Sequence, residues 1–323
     1  MPAALITGIG GQDGSILAGQ LAEQGMTVHG LVRASELADA QIRLSSAVTL
    51  HVGDLTDGDR VSGLVDDVAP AEIYNLAGIT SVRYSWDHPV ETGEVTGLAA
   101  ASVFAAALRL QETTGRAVRV LQPSSAEIFG HAARVPQDET TPIAPASPYG
   151  AAKAYAHFMA ASYRILGLHV ATCILYNHES PLRSDAFVTR KITAAAARIA
   201  HDGAGTLTLG DLSVRRDWGW AEDYVDAMVR ATRHTAADDF VVATGETHSV
   251  AEFAAAALRR VGIDDWERYV RTDAALVRPS DAPQQVGDAS KARLELGWAP
   301  TVGFDELVGR MVDHDVALLA GSA

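Results

Sequence analysis

ITGIGGQDGSILAGQLAEQG, residues 6–25, places Gly8, Gly10, Gly11 and Gly14 between an apolar run and a stretch with helical spacing. Gly8, Gly11 and Gly14 end a β-branched strand and open a helix, so the backbone can turn tightly there and aim its amides at an anion. The positive end of the helix dipole favours the same anion. The spacing is Gly-x-x-Gly-x-x-Gly, wider than the commonest dinucleotide fingerprint, but the strand before it and the helix after it are the context a pyrophosphate site requires. At the end of the next strand, where an NAD site carries an acid for the ribose hydroxyls, the chain has LVRAS with Arg33. A guanidinium there favours a 2′-phosphate, so NADP is the expected cofactor.

The runs at 3–8, 27–33, 48–54, 72–78, 118–124 and 169–177 are rich in β-branched residues and all but the second, which ends in Arg33, end in Gly, Asp, Asn or Ser, which predicts strands. Helical patterns fall between them. Such alternation implies an α/β fold with a doubly wound parallel sheet, Rossmann-like, with ligands at the carboxyl ends of the strands. After about residue 180 the pattern turns irregular, with helices expected near 221–234 and 249–262 and an Arg- and Pro-containing run at 271–287. The expected organisation is therefore a cofactor-binding domain over 1–180, to which later segments return, and a smaller C-terminal substrate-binding lobe over 181–323.

The chain has 323 residues, 48% of them hydrophobic, enough for a large core. A formal net charge of −14 argues against nucleic acid as a partner. The single cysteine, Cys173, lies in the apolar run VATCILY and reads as a buried strand residue, not half of a disulfide. No run approaches the roughly 18 apolar residues of a membrane span, and no charged leader precedes Ala3, so a cytoplasmic protein with no membrane partner is expected. No metal site is expected.

The chemistry is concentrated in QPSSAEIFGHAARVPQDETTPIAPASPYGAAK, residues 122–153. Ser147-Pro148 is a helix start, and Tyr149 and Lys153, four apart, then share one face, which brings an ammonium near a phenol. Ser125 and Glu127, two apart at a strand end, supply a hydroxyl and a carboxylate on one side. Together they form a candidate acid–base set.

The stretches ALITGIGGQDGSILA, EIYNLAG, SPYGAAKAYA, LYNHESP, FVTRKI, RRDWGWAEDYVDAM and GWAPTVGFDELVGRMVDHDV resemble the GDP-mannose 4,6-dehydratase family, nucleotide-sugar enzymes of the extended short-chain dehydrogenase/reductase superfamily. The resemblance covers nearly the whole chain. It implies internal hydride transfer through tightly bound NADP, converting GDP-mannose to a 4-keto-6-deoxy sugar and water. The implied roles are Tyr149, its pKa lowered by Lys153 and the nicotinamide cation, as base at O4; Glu127 as base at C5; and Ser125 as a hydrogen-bond partner of O4. It further implies Gly8, Gly11, Gln12, Asp13, Gly14, Arg33, Asp54, Leu55, Leu76, Ala77, Tyr149, Lys153, His178 and Arg183 around the cofactor. Ser81, Ser125, Glu127, Asn177, Val188, Lys191, Arg216, Arg278 and Asp281 are implied around the sugar nucleotide. A homodimer through paired helices is expected.

The chain departs from the family pattern in places. Ser125-Ala126-Glu127 stands for Thr-Ser-Glu, Glu91 for a tyrosine, Arg33-Ala34 for paired arginines followed by a longer loop, and RPSDAP for Arg-Pro-x-Glu-Val-Asp. The shortened loop is one that reaches a neighbouring subunit in the family, which bears on whether dimers pair into a tetramer. A 4-epimerase, 4-reductase or decarboxylase of the same superfamily, a dehydratase of another sugar nucleotide, and a non-catalytic NADP sensor are the alternatives that the residues leave open.

Overall fold

Each expected strand of the first half forms, its β-branched residues covered on both faces of a parallel sheet except in the edge strand Thr49–Val52, which is partly exposed. The strands are β1 (Ala3–Thr7), β2 (Thr27–Val32), β3 (Thr49–Val52), β4 (Glu72–Asn75), β5 (Arg119–Ser125) and β6 (His169–Leu175). The computed structural model describes residues 1–277 and 280–321. A seventh strand, Asp239–Val242, pairs in parallel with β6, and the sheet order runs from it through β6, β5, β4, β1 and β2 to β3. The sequence pattern did not reveal this strand: four residues between polar loops carry no period of their own. It is fixed by burial of Phe240, Val241 and Val242 against the sheet and the Ala221–Arg233 helix.

The strand order reverses between β1 and β4, so the loops leaving their carboxyl ends diverge and open a crevice. The glycine loop follows β1 there and leads into α1 (Gln12–Glu23). Beneath it runs a buried side-chain ladder. Thr7 Oγ1 donates to Asn75 Oδ1 at 2.9 Å, and Asn75 Nδ2 donates to Gln122 Oε1 at 2.8 Å, locking the carboxyl ends of β1, β4 and β5 together.

The helices Val188–Asp202, Val250–Arg260 and Phe304–Gly321 enclose a second core around Trp218, Trp220 and Phe253. The short strand Asn177–Glu179 pairs with Trp218–Trp220, and Arg215–Arg216 lies between His248–Ser249 and Gln284–Gln285. Asp217, fully buried, accepts hydrogen bonds from Thr244 N, Thr244 Oγ1 and Gly245 N at 2.7–2.9 Å, tying this lobe to the end of the seventh strand. Cys173 is buried in β6. The segment Pro89–Thr114, helical throughout with a π turn at Gly93–Leu98, is long and apolar enough to cross a membrane, but half of its most apolar window is buried inside the fold.

Candidate active site

Gly8 has φ +66°, and a Cβ on it would stand 2.7 Å from Ala77 Cα; a Cβ on Gly14 would stand 2.5 Å from Gly8 O. The first glycine thus lets the loop pass against the chain leaving β4, and the third lets α1 start directly beneath the loop. The result is a cradle of backbone amides with no side chains in the way. Gly8, Gly11, Gln12, Asp13, Gly14, Arg33, Asp54, Leu55, Leu76, Ala77 and Arg183 all line one cleft of about 420 Å³ above this cradle. Its dimensions and its glycine floor fit a dinucleotide. Glu36, Asp39 and Arg43, which the sequence reading did not single out, line it too. Arg33 donates to Glu36 Oε1 at 2.5 Å, and Arg43 Nη1 donates to Gly10 O at 2.9 Å.

His178 stands outside the lining, behind Asp13. Its Nε2 is 3.0 Å from Asp13 Oδ2, its Nδ1 is 2.8 Å from Tyr176 O, and its ring stacks on Tyr224. A carbonyl and a carboxylate both accept, so both ring nitrogens must donate, and the ring is an imidazolium. Burial is the largest single influence and would drive the proton off; the Asp13 charge and the hydrogen bonds to Asp13 and the Tyr176 carbonyl together outweigh it and raise the His178 pKa. Asp13 is correspondingly lowered to about 2, burial being overcome by His178 and by hydrogen bonds from His178 and Gln12. Gln12 adds a second tie, accepting from Ser180 Oγ at 2.9 Å and donating to His178 O at 3.2 Å.

Ser147 caps the Pro148–Ile165 helix, accepting from Gly150 N at 3.1 Å, and the helix buries both Tyr149 and Lys153. Lys153 Nζ donates to Pro123 O at 3.0 Å and lies 5.9 Å from the centre of the Tyr149 ring; burial lowers its pKa to about 8. The Ser125 hydroxyl accepts from Glu127 N at 3.2 Å and acts on the Tyr149 phenol, lowering its pKa. Glu127 lies on the same strand-end turn, within electrostatic reach of Tyr149. In the chain alone burial raises the Tyr149 pKa to about 12, against the opposing Ser125 hydroxyl; the expected lowering is one in which the bound nicotinamide cation takes part beside Lys153.

The expected sugar-nucleotide residues fall outside the cofactor cleft. Asn177 starts the short strand beside Trp218–Trp220, and Val188 and Lys191 occupy the first turn of the Val188–Asp202 helix. The Lys191 ammonium has no hydrogen bond or ion pair among the described residues. Arg216, 5% exposed, pairs with Asp281 and donates to Ala282 O at 2.8 Å, so two residues 65 apart in sequence form one unit. Ser81 caps the Val82–Asp87 helix through Tyr84 N at 3.2 Å. Arg278 lies outside the described residues. Arg183 stacks on Phe187 at 3.6 Å and pairs with the buried Glu179. Sequence reasoning also missed Gln285, whose amide donates to Glu127 Oε1 at 3.3 Å; a glutamine in a two-residue strand carries no signal.

A family model described as GDP-mannose 4,6 dehydratase matches residues 5–311. GDP-mannose 4,6 dehydratase 1 of Arabidopsis thaliana is 42% identical, covering 98% of this chain and 90% of its own length. The GDP-mannose 4,6 dehydratase of Homo sapiens is 39% identical over 98% of this chain and 92% of its own. Among solved structures, the UDP-glucose 4-epimerase of Thermus thermophilus in complex with NAD superposes with a TM-score of 0.84 at 25% identity, covering 97% of this chain and 98% of that one. The match spans both the cofactor cleft and the second lobe, and the chain belongs to the GDP-mannose 4,6 dehydratase family.

Proposed function

We propose that this chain is a lyase that removes water from GDP-mannose to give GDP-4-keto-6-deoxy-mannose, with NADP as its tightly held cofactor. The observation that carries the reading is the Glu127 carboxylate on the strand-end turn capped by Ser125, within electrostatic reach of the Tyr149 phenol: oxidation at C4 needs only the phenol and hydroxyl, whereas elimination across C5 and C6 needs a further base. NADP when bound takes a hydride from C4 and returns it at C6, so no reductant is consumed.

The residues do the rest. Tyr149 takes the O4 proton, with Ser125 hydrogen-bonded to the same oxygen as charge develops on it. The 4-ketone acidifies C5. Glu127 then removes the C5 proton and passes it to the departing C6 hydroxyl, which leaves as water, and C5 takes the proton held by Tyr149, exchanged with solvent, as the hydride arrives at C6. Lys191, Arg216 and Arg278 supply cations for the diphosphate, and Asp281 orients Arg216. A preference for NADP over NAD rests on Arg33, with Arg43 a second cation at the same end of the cleft. A homodimer is supported by Leu98 and Phe158, 54% and 56% exposed on the two helices expected to pair across a two-fold axis.

The test is incubation with a panel of nucleotide sugars followed by mass spectrometry. GDP-mannose should lose one water with no net change in reduced nicotinamide. Turnover of a different sugar nucleotide in preference, or epimerisation without loss of mass, overturns the reading.

A further inference from the structure

The Glu127 side chain receives one hydrogen bond among the described residues, and it comes from the other lobe. Gln285 lies 158 positions away, is 3% exposed, and donates through Nε2 to Glu127 Oε1 at 3.3 Å. Its backbone is held on both sides. The Gln284–Gln285 strand runs parallel to Arg215–Arg216 with Gln285 in register with Arg216, and Gln285 O accepts from Asp217 N at 3.1 Å. Asp217 is in turn fixed by Thr244 and Gly245, while Arg216 is fixed by Asp281 and Ala282. A buried amide on so constrained a strand has one orientation in which its donor meets a carboxylate, and Glu127 fills it.

We infer that Gln285 is a positioning residue for Glu127. The amide holds Oε1, which fixes the carboxylate rotamer and leaves Oε2 as the oxygen free to take a proton. A base contributes only when it stands within hydrogen-bonding reach of the proton it removes, so the orientation of this carboxylate is a rate determinant separate from its presence. The register with Arg216 adds a second consequence. The strand that orients the base pairs directly with the arginine assigned to the substrate diphosphate, so one short element links that arginine to the base.

The inference rests on the proposed role of Glu127, and the experiment separates the two. In Gln285→Leu, kcat should fall roughly 10- to 100-fold, part of the full worth of a general base, while KM for GDP-mannose stays near the wild-type value. Because oxidation at C4 is untouched and elimination is slowed, reduced nicotinamide should accumulate during turnover, seen by its near-ultraviolet absorbance. Solvent deuterium should enter C5 more slowly. Gln285→Met, which keeps the length and removes the donor, should show the same signature and guards against a packing defect in the leucine variant. Wild-type kcat and no accumulation of reduced cofactor in both variants overturn the inference while leaving the Glu127 reading intact. A parallel fall of oxidation and elimination also overturns it, since that marks a structural role only. If Glu127→Gln itself dehydrates at the wild-type rate, both ideas fall.

Discussion

The two ends of the cofactor cleft are built by different physics. At the inner end the glycine loop and Asp13 line the cleft, while His178, Tyr149 and Lys153 stand outside the lining, partly or fully buried; Asp13 is paired with His178 and the Lys153 ammonium with the Pro123 carbonyl. At the outer end Arg33 and Glu36 form an ion pair with side chains 60% and 47% exposed. Charges withdrawn from water interact strongly and reorganise little, whereas exposed pairs are screened and worth about 0–1 kcal/mol. The inner end should therefore decide whether the enzyme works, and the outer end only which cofactor it prefers.

The largest effect belongs to the inner end. Glu127→Gln should leave folding and cofactor binding intact and still permit oxidation, while elimination falls roughly 10²- to 10⁴-fold. Tyr149→Phe should stop the earlier step, so no reduced nicotinamide forms. Rapid-mixing absorbance distinguishes the two arrests. In deuterated water the wild-type product should carry deuterium at C5 and the original C4 hydrogen at C6. A product without deuterium at C5 removes the basis for the role assigned to Glu127.

Next in size is the cradle. In Gly14→Ala the added methyl carbon would stand 2.5 Å from Gly8 O and 2.6 Å from Ile9 Cα, both backbone atoms that cannot swing aside. Overpacking of this kind costs about 1–3 kcal/mol. The loop relieves it by moving, so cofactor affinity measured by calorimetry should drop roughly tenfold or more. An unchanged affinity would mean that the cradle is softer than its geometry implies.

These inner features were the legible ones, and the reason is local periodicity. Tyr149 and Lys153 are one helical turn apart, Ser125 and Glu127 are two apart at a strand end, and the three glycines sit between a strand and a helix, so short-range spacing already encodes their meeting. The rest depends on contacts between distant segments. Gln285 meets Glu127, Asp281 meets Arg216, and His178 meets Asp13 across 158, 65 and 165 positions, and no local pattern announces any of the three pairs. The resemblance supplied His178, Arg216 and Asp281 individually, without their partners. The seventh strand was illegible for a related reason, since its four residues acquire meaning only from β6 beside it.

The Asp13–His178 pair tests the inner end by pH. Folded His178 holds its proton more tightly than the unfolded chain does, so its contribution is complete below the ordinary imidazole range near about 6.5 and is lost as pH rises through the raised folded value. Asp13, lowered to about 2, keeps its side of the pair in place down to strongly acid conditions. Asp13→Asn should therefore melt several degrees below wild type at about pH 6, a hydrogen bond to a charged partner being worth about 1.5–3 kcal/mol. The gap should shrink as pH rises. A gap that is constant with pH would show that His178 is neutral in the fold.

The smallest effect belongs to the outer end and turns on competition between carboxylates and phosphate. Arg33 is already engaged by Glu36 at 2.5 Å, and the charges of Asp54 and Glu91 also act on it. A 2′-phosphate must displace or share that guanidinium in an exposed, screened setting, so the preference for NADP over NAD should be modest. Arg33→Ala should narrow the ratio of the two dissociation constants by about tenfold or less, in line with the small worth of exposed charge pairs. Glu36→Gln should widen the ratio, because it frees the guanidinium and removes a charge that repels phosphate. Both changes should fade as salt is raised from about 0.01 M to 1 M, where the screening length shortens to about 3 Å. Neither should alter the dehydration rate at saturating cofactor. Equal affinity of the unmutated chain for both cofactors would defeat the role given to Arg33. A Glu36→Gln ratio unchanged from wild type would show instead that the carboxylate and the phosphate do not compete for the same guanidinium.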